Sequence, residues 1–167
     1  MNGGVSTEIE IGGTLAEHDV GRLADLVAAE HAAPDWTSPG FADARAAAAH
    51  IRRVAEQGRS LVLVTDQLTG RNFSGVKSLL EREGVPFRQY YDPCGRIPAI
   101  LDVYRPDLGF AEMDSFRANT VGDLFISCDD VVAALDDPHG RAQLRRRLAQ
   151  LEAFPALAIA EDAVSPG

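Results

Sequence analysis

The stretch of this sequence best suited to chemistry is Gly70-Arg71-Asn72-Phe73-Ser74-Gly75-Val76-Lys77-Ser78, which follows an apolar run and opens a helix-like one. A phosphate-binding loop belongs at such a place, because backbone N–H groups at a helix N-terminus wrap the phosphates while a lysine meets them. That lysine must follow the second glycine directly. Here Val76 intervenes, and one extra helical residue turns Lys77 by about 100°. Phe73 would also have to point away from the nucleotide. The sequence therefore favours a glycine-containing turn followed by an ordinary helix with an apolar stripe of Phe73, Val76 and Leu80. A small nucleotide- or phosphate-binding protein or enzyme using the 66–78 loop, through Asp66, Gly70, Arg71, Gly75 and Lys77, stands as the alternative.

Other chemistries find less support. His18, His31, His50 and His139 form no HxH, HExxH or HxxxH spacing, so no two share a helix face by default, and no metal ligand is assigned. Cys94 and Cys128 lie outside any CxxC or CxxH pattern and read as free thiols of a reducing compartment. Neither they nor any serine has a nucleophile signature. Asp129-Asp130 and Asp136-Asp137 bracket a short helix and read as caps rather than as an acid–base pair. No catalytic residue and no cofactor is expected.

The slightly basic middle of the chain carries a second constellation. Strand alternation puts Arg88 and Tyr90 on one face, with Tyr104 on the neighbouring strand and Arg96 and Arg105 near the ends of the hairpin. Arginine and tyrosine are favoured at interface hot spots and on stacking platforms for single strands. Arg88, Tyr90, Arg96, Tyr104 and Arg105 are therefore the candidate interaction surface. The helix with Arg145, Arg146 and Arg147 opposite Leu144, Leu148 and Leu151 is expected to pack its leucines on the sheet. If that stripe were exposed, a homodimer would follow.

These residues need elements to hold them. Val5 to Ile11 alternates as a strand with one wet face, and Glu17 to Glu30 and Phe41 to Gln57 read as helices. Leu61 to Val64 is continuously apolar, the pattern of a strand buried on both faces and central in a sheet. A helix from Phe73 to Glu83 precedes the hairpin Val85 to Tyr91 and Ile97 to Tyr104. Further strands are expected at Phe110 to Arg117 and Asp123 to Ser127. Ser127 or Asp129 caps a helix through Leu135, Asp137-Pro138 opens another that Pro155 stops, and Ala156 to Ala160 returns as a strand. Residues 161–167 should fray. The order implies one α+β domain over residues 1–167, a mixed, mostly antiparallel sheet with helices packed on it.

Composition bounds the function. The chain has 167 residues, 46% of them apolar and 25% charged, enough for one hydrophobic core without disulfide or metal. The net charge of -9 argues against direct binding of nucleic acid or an anionic membrane. It is unevenly spread: residues 1–57 hold nine acids and four bases, 58–105 five and seven, 106–167 eleven and five. Acidic mimicry of nucleic acid would require the two flanks to converge on one face. No apolar run approaches a membrane span and the first residues lack a leader pattern, so a cytoplasmic protein is expected.

Four local patterns carry a resemblance: Ile11-Gly12-Gly13-Thr14-Leu15, the strand-loop-helix of residues 61–84, the strand pair after it, and Tyr104-Arg105-Pro106-Asp107. Together they resemble small uncharacterised proteins carried on plasmids and phages of GC-rich bacteria, and the strong preference for arginine over lysine agrees with that codon usage. The resemblance implies a context rather than an activity: an accessory protein of a mobile element that inhibits or adapts host machinery by binding it, an anti-CRISPR-like inhibitor among the options. A non-enzymatic protein-binding module is the leading expectation.

Overall fold

The computed structural model describes residues 6–66, 72–94, 96, 98–119 and 123–161. Alternation in the first strand, β1 (Thr7–Ile11), buries Thr7, Ile9 and Ile11 and leaves Glu8 and Glu10 on the opposite face. A gap of one residue precedes β2 (Gly13–Ala16). The turn is tight: a Cβ on Gly12 would lie 2.1 Å from the Pro155 carbonyl oxygen, and Gly13 holds φ +70°. Helix α1 (Glu17–Ala29) then buries Val20, Leu23, Ala24 and Val27 at helical spacing. In α2 (Ala44–Glu56) Ala47, Ile51 and Val54 do the same, and the Asp43 carboxylate accepts the Ala46 N–H at 2.7 Å as its N-cap.

β3 (Leu61–Thr65), α3 (Ser74–Arg82), β4 (Phe87–Tyr91) and β5 (Ala99–Tyr104) follow, then β6 (Asp114–Ala118) and β7 (Leu124–Phe125). The sheet order is β3-β1-β4-β5-β6-β7, with every neighbour antiparallel. Helices α4 (Cys128–Asp136) and α5 (Pro138–Ala149) lead to β8 (Leu157–Ala160), which pairs in parallel with β2 as a separate two-stranded sheet. The fold is α+β, as expected. No described helix is long and apolar enough to cross a membrane.

One expectation is corrected. Leu61 to Val64 lies at the sheet edge, not in its middle; β1 and β4 are inside it. Leu61 and Leu63 face the core while Val64, on the opposite face, is only 3% exposed, and the segment after α1 meets the edge there: Ala33 and Val64 exchange both backbone hydrogen bonds, at 2.8 and 2.9 Å. That bridge takes up edge N–H and C=O groups that would otherwise be unpaired.

Register fixes which side chains share a face. Ile9, Ile11, Leu61, Leu63, Phe87 and Tyr104 point toward α1 and α3 and form the core with Leu23, Phe73, Val76 and Leu80. The other face carries Glu8, Glu10, Arg88, Tyr90, Leu101, Val103, Asp114 and Phe116. It is covered in part by α5 and the chain after it, through Arg147 on Asp114 and Phe154 under the Arg88 guanidinium. The α4–α5 hairpin closes at Gly140, where a Cβ would meet the Ala133 carbonyl oxygen at 2.3 Å, so only glycine permits that approach.

Candidate functional site

The five hairpin candidates do not form one surface. Arg88 and Tyr90 share the face under the C-terminal segment. Arg88 pairs with Glu10 and lies over the Phe154 ring at 5.1 Å, and the Tyr90 hydroxyl donates to the Asn119 carbonyl at 3.0 Å. Tyr104 is on the opposite face, 7% exposed, its ring 5.5 Å from that of Phe87. Arg96 is exposed in the turn.

Arg105 is a clearer correction, since it is only 3% exposed. Its guanidinium takes the Asp107 carboxylate in bidentate fashion at 2.8 and 2.9 Å and donates to the Gln150 carbonyl at 3.2 Å. It also lies over Phe154 at 5.3 Å. The end of α5 leaves carbonyls without helical partners, and a rigid five-donor fork satisfies them where water does not reach. Arg105 is a clamp on the chain after α5, not a contact residue.

The 66–78 candidates divide as well. Asp66 is exposed at the end of β3, while Gly70 and Arg71 lie outside the described residues. Gly75 packs near Leu26. Lys77 points to the sheet: its ammonium donates to the Tyr91 hydroxyl at 2.7 Å and lies 3.7 Å from the Asp102 carboxylate. Tyr91 in turn donates to Gln89 at 2.9 Å, and Ser115 donates to Asp102 at 2.6 Å. Burial, together with the Asp102 charge, pushes the Tyr91 hydroxyl well above its usual range, which keeps it a neutral donor. The network satisfies polar groups within the sheet–α3 interface and commits the one lysine to it.

The strongest unpartnered feature is at the other end of the chain. Ser127 caps α4 by accepting the Asp130 N–H at 3.1 Å, and Cys128, Val131, Val132 and Leu135 then fall at i, i+3, i+4 and i+7 on one stripe. In α1, α2 and α3 such a stripe is core. Here α4 buries no residue, and Val131, Val132 and Leu135 are 41%, 53% and 72% exposed. Phe125 and Ile126, just before the helix, are 57% and 42% exposed. They border a groove of about 610 Å³ that reaches Phe116, Leu144 and Leu148.

Charge frames this patch. Residues 123–137 contain five aspartates and no base. Asp137 caps α5 and Asp130 is paired with Arg147 at 2.9 Å. Among the described residues, Asp129 and Asp136 carry no ion pair and flank the stripe. Of the α5 arginines, Arg146 lies over Phe110, Arg147 holds Asp114 as well as Asp130 and lies over Phe116, and Arg141 donates to the Ala134 carbonyl of α4 at 3.2 Å. The amphipathic pattern of α4 was legible in the sequence, but no periodicity tells which helix will lack a partner.

Among the described residues no group of three or more His, Cys, Asp or Glu is placed to hold a metal ion. Cys94 is half-buried, Cys128 is exposed, and both are free thiols. Compared with known families, curated proteins and solved structures, the chain matches none.

Proposed function

We propose that the chain is a non-enzymatic protein-binding module, an inhibitor or adaptor, whose α4 face receives a basic amphipathic helix of a partner protein. The observation that carries this reading is the bare stripe of α4 with Phe125 and Ile126 beside it. Contiguous exposed apolar surface rimmed by charge is the form of an interaction site. An apolar helix face laid into a groove is a common mode of recognition, with anchors at i, i+3, i+4 and i+7.

The sign of the partner follows from the acids. Asp129 and Asp136 flank the stripe, and a chain of net charge -9 attracts a basic segment at long range and repels an acidic one. The same charge disfavours a second copy, because each copy brings the same acidic excess.

The test is a fluorescence-anisotropy titration with a short Leu–Lys amphipathic peptide against the wild type and Leu135→Asp. Wild type should bind saturably and more weakly as salt rises. The variant, although more acidic, should bind about tenfold more weakly or worse, since it places a charge in the apolar contact. Equal or tighter binding by Leu135→Asp would reduce the interaction to charge attraction and overturn the reading. So would sedimentation that finds the wild type dimeric through this face.

A further inference from the structure

The sheet face opposite the core holds a separate site with its own chemistry. Register lines up Val64, Glu8, Tyr90, Leu101 and Phe116 as one row across five strands. Over Glu8, Tyr90 and Leu101 lies a cavity of about 320 Å³, walled by Leu124 of β7 and Leu151 after α5. That volume is at the lower end of small-ligand pockets, which run from ~300 to 1,000 Å³. Trp36, the one tryptophan of the chain, is 53% exposed and lines the adjoining pocket over Val64, with its indole close enough to bear on the Glu8 carboxylate. Its loop is fixed by Asp35, whose carboxylate accepts from the Thr37 and Ser38 backbone N–H groups, each at 2.8 Å.

The two carboxylates at this cavity are not equivalent. Glu10 is taken up by Arg88 and by the Ser60 hydroxyl. Among the described residues no Arg, Lys or His lies at ion-pair distance from Glu8. A half-buried carboxylate beside a second one is costly, and burial with the Glu10 charge pushes its pKa up. Such a group is stabilised by a cation that arrives from outside.

The walls define what kind of cation. Apolar leucines disfavour a hydrated metal ion, and two carboxylates against one arginine disfavour an anion. What remains is an organic cation with a carbon stem, which gains from burial of the stem, from Glu8 and from the π face of an aromatic ring. We propose that the cavity binds an alkylguanidinium or alkylammonium group, with Glu8 as counter-ion, Tyr90 as the aromatic neighbour, and Leu101, Leu124 and Leu151 around the stem. Tyr90 is suited to this because its hydroxyl is already tethered to the Asn119 carbonyl, which fixes the ring. The site is distinct from the α4 face and does not rest on the protein-binding reading.

The cation has two sources, a free small amine or guanidine and the arginine or lysine side chain of another protein, and one titration separates them. Trp36 emission is followed with n-butylguanidinium, with its neutral isostere n-butylurea, and with a capped Ala-Arg-Ala peptide. The expected result is a saturable change with n-butylguanidinium, weakened about tenfold or more with n-butylurea and likewise in Glu8→Gln. Leu135→Asp should respond as wild type does, so a failure on α4 leaves this site standing. Peptide binding about tenfold tighter than the free guanidinium assigns the site to a partner's side chain; equal or weaker peptide binding assigns it to a free cation. An unchanged response in a folded Glu8→Gln, an equal response to n-butylurea, or no saturable response at all would overturn the proposal.

Discussion

Helices α1 and α4 have the same kind of apolar stripe and opposite fates. In α1, Val20, Leu23, Ala24 and Val27 are at most 1% exposed against the sheet and α2. In α4, Val131, Val132 and Leu135 face outward, and the helix is held by polar means: the Ser127 cap, the Asp130–Arg147 ion pair and the Gly140 crossing. The difference teaches that residues 9–104 together with Leu157 of β8 build the packed core, whereas residues 123–149 present a surface. Burial of apolar area stabilises at about 25 cal/mol per Å², so a stripe left outside contributes little to folding and remains available for binding.

The contrast can be broken most severely by truncating both stripes. Leu23→Ala should cost about 2–5 kcal/mol in denaturant unfolding, through lost burial and a cavity. Leu135→Ala should change stability by less than about 0.5 kcal/mol. Similar losses in the two would mean that α4 is part of the core. Next in size is Arg105→Ala, expected to cost about 2–4 kcal/mol because the Asp107 charge and the carbonyls after α5 lose their donor. Hydrogen exchange should locate its effect in α5 and residues 150–155, leaving α1 and α2 protected; uniform loss of protection would show that the two regions are not separable.

The smallest effect concerns Glu8. A carboxyl whose pKa is raised on folding keeps its proton to higher pH in the folded chain, so its favourable contribution exists in acid and is lost as pH rises through the folded value. Glu8→Gln should therefore be more stable than wild type at neutral pH by about 0.5 kcal/mol, a figure discounted for the carboxylate's partial exposure. The two proteins should converge in acid. A variant less stable at neutral pH would show that Glu8 is already neutralised in the free chain.

Much of the fold was legible because local rules dominate it. The alternation of β1, the hairpin β4–β5, the stripe of α1 and the caps Ser127 and Asp137 are each readable within a few residues. What was not legible depends on long-range partners. Leu61 to Val64 resembles a central strand because nothing in it reveals that Ala33 covers its edge. The pairing of β2 with β8 joins residues near opposite ends of the chain. Arg105 looks like an exposed hairpin residue until α5 brings its terminal carbonyls alongside. The α4 face escaped for the converse reason: a pattern specifies a stripe, and only the packed structure shows that no described element covers it.

The central claim, that this stripe is open in the free chain and closed by a basic amphipathic helix, can be read at Cys128, which lies on the stripe and is exposed. In a Cys94→Ser background, its alkylation rate is measured alone and with saturating Leu–Lys peptide. Fast alkylation of the free protein, independent of its concentration and slowed about tenfold or more by the peptide, is the predicted result. A thiol already protected in the free protein, or one that alkylates at the same rate with the peptide bound, would contradict it.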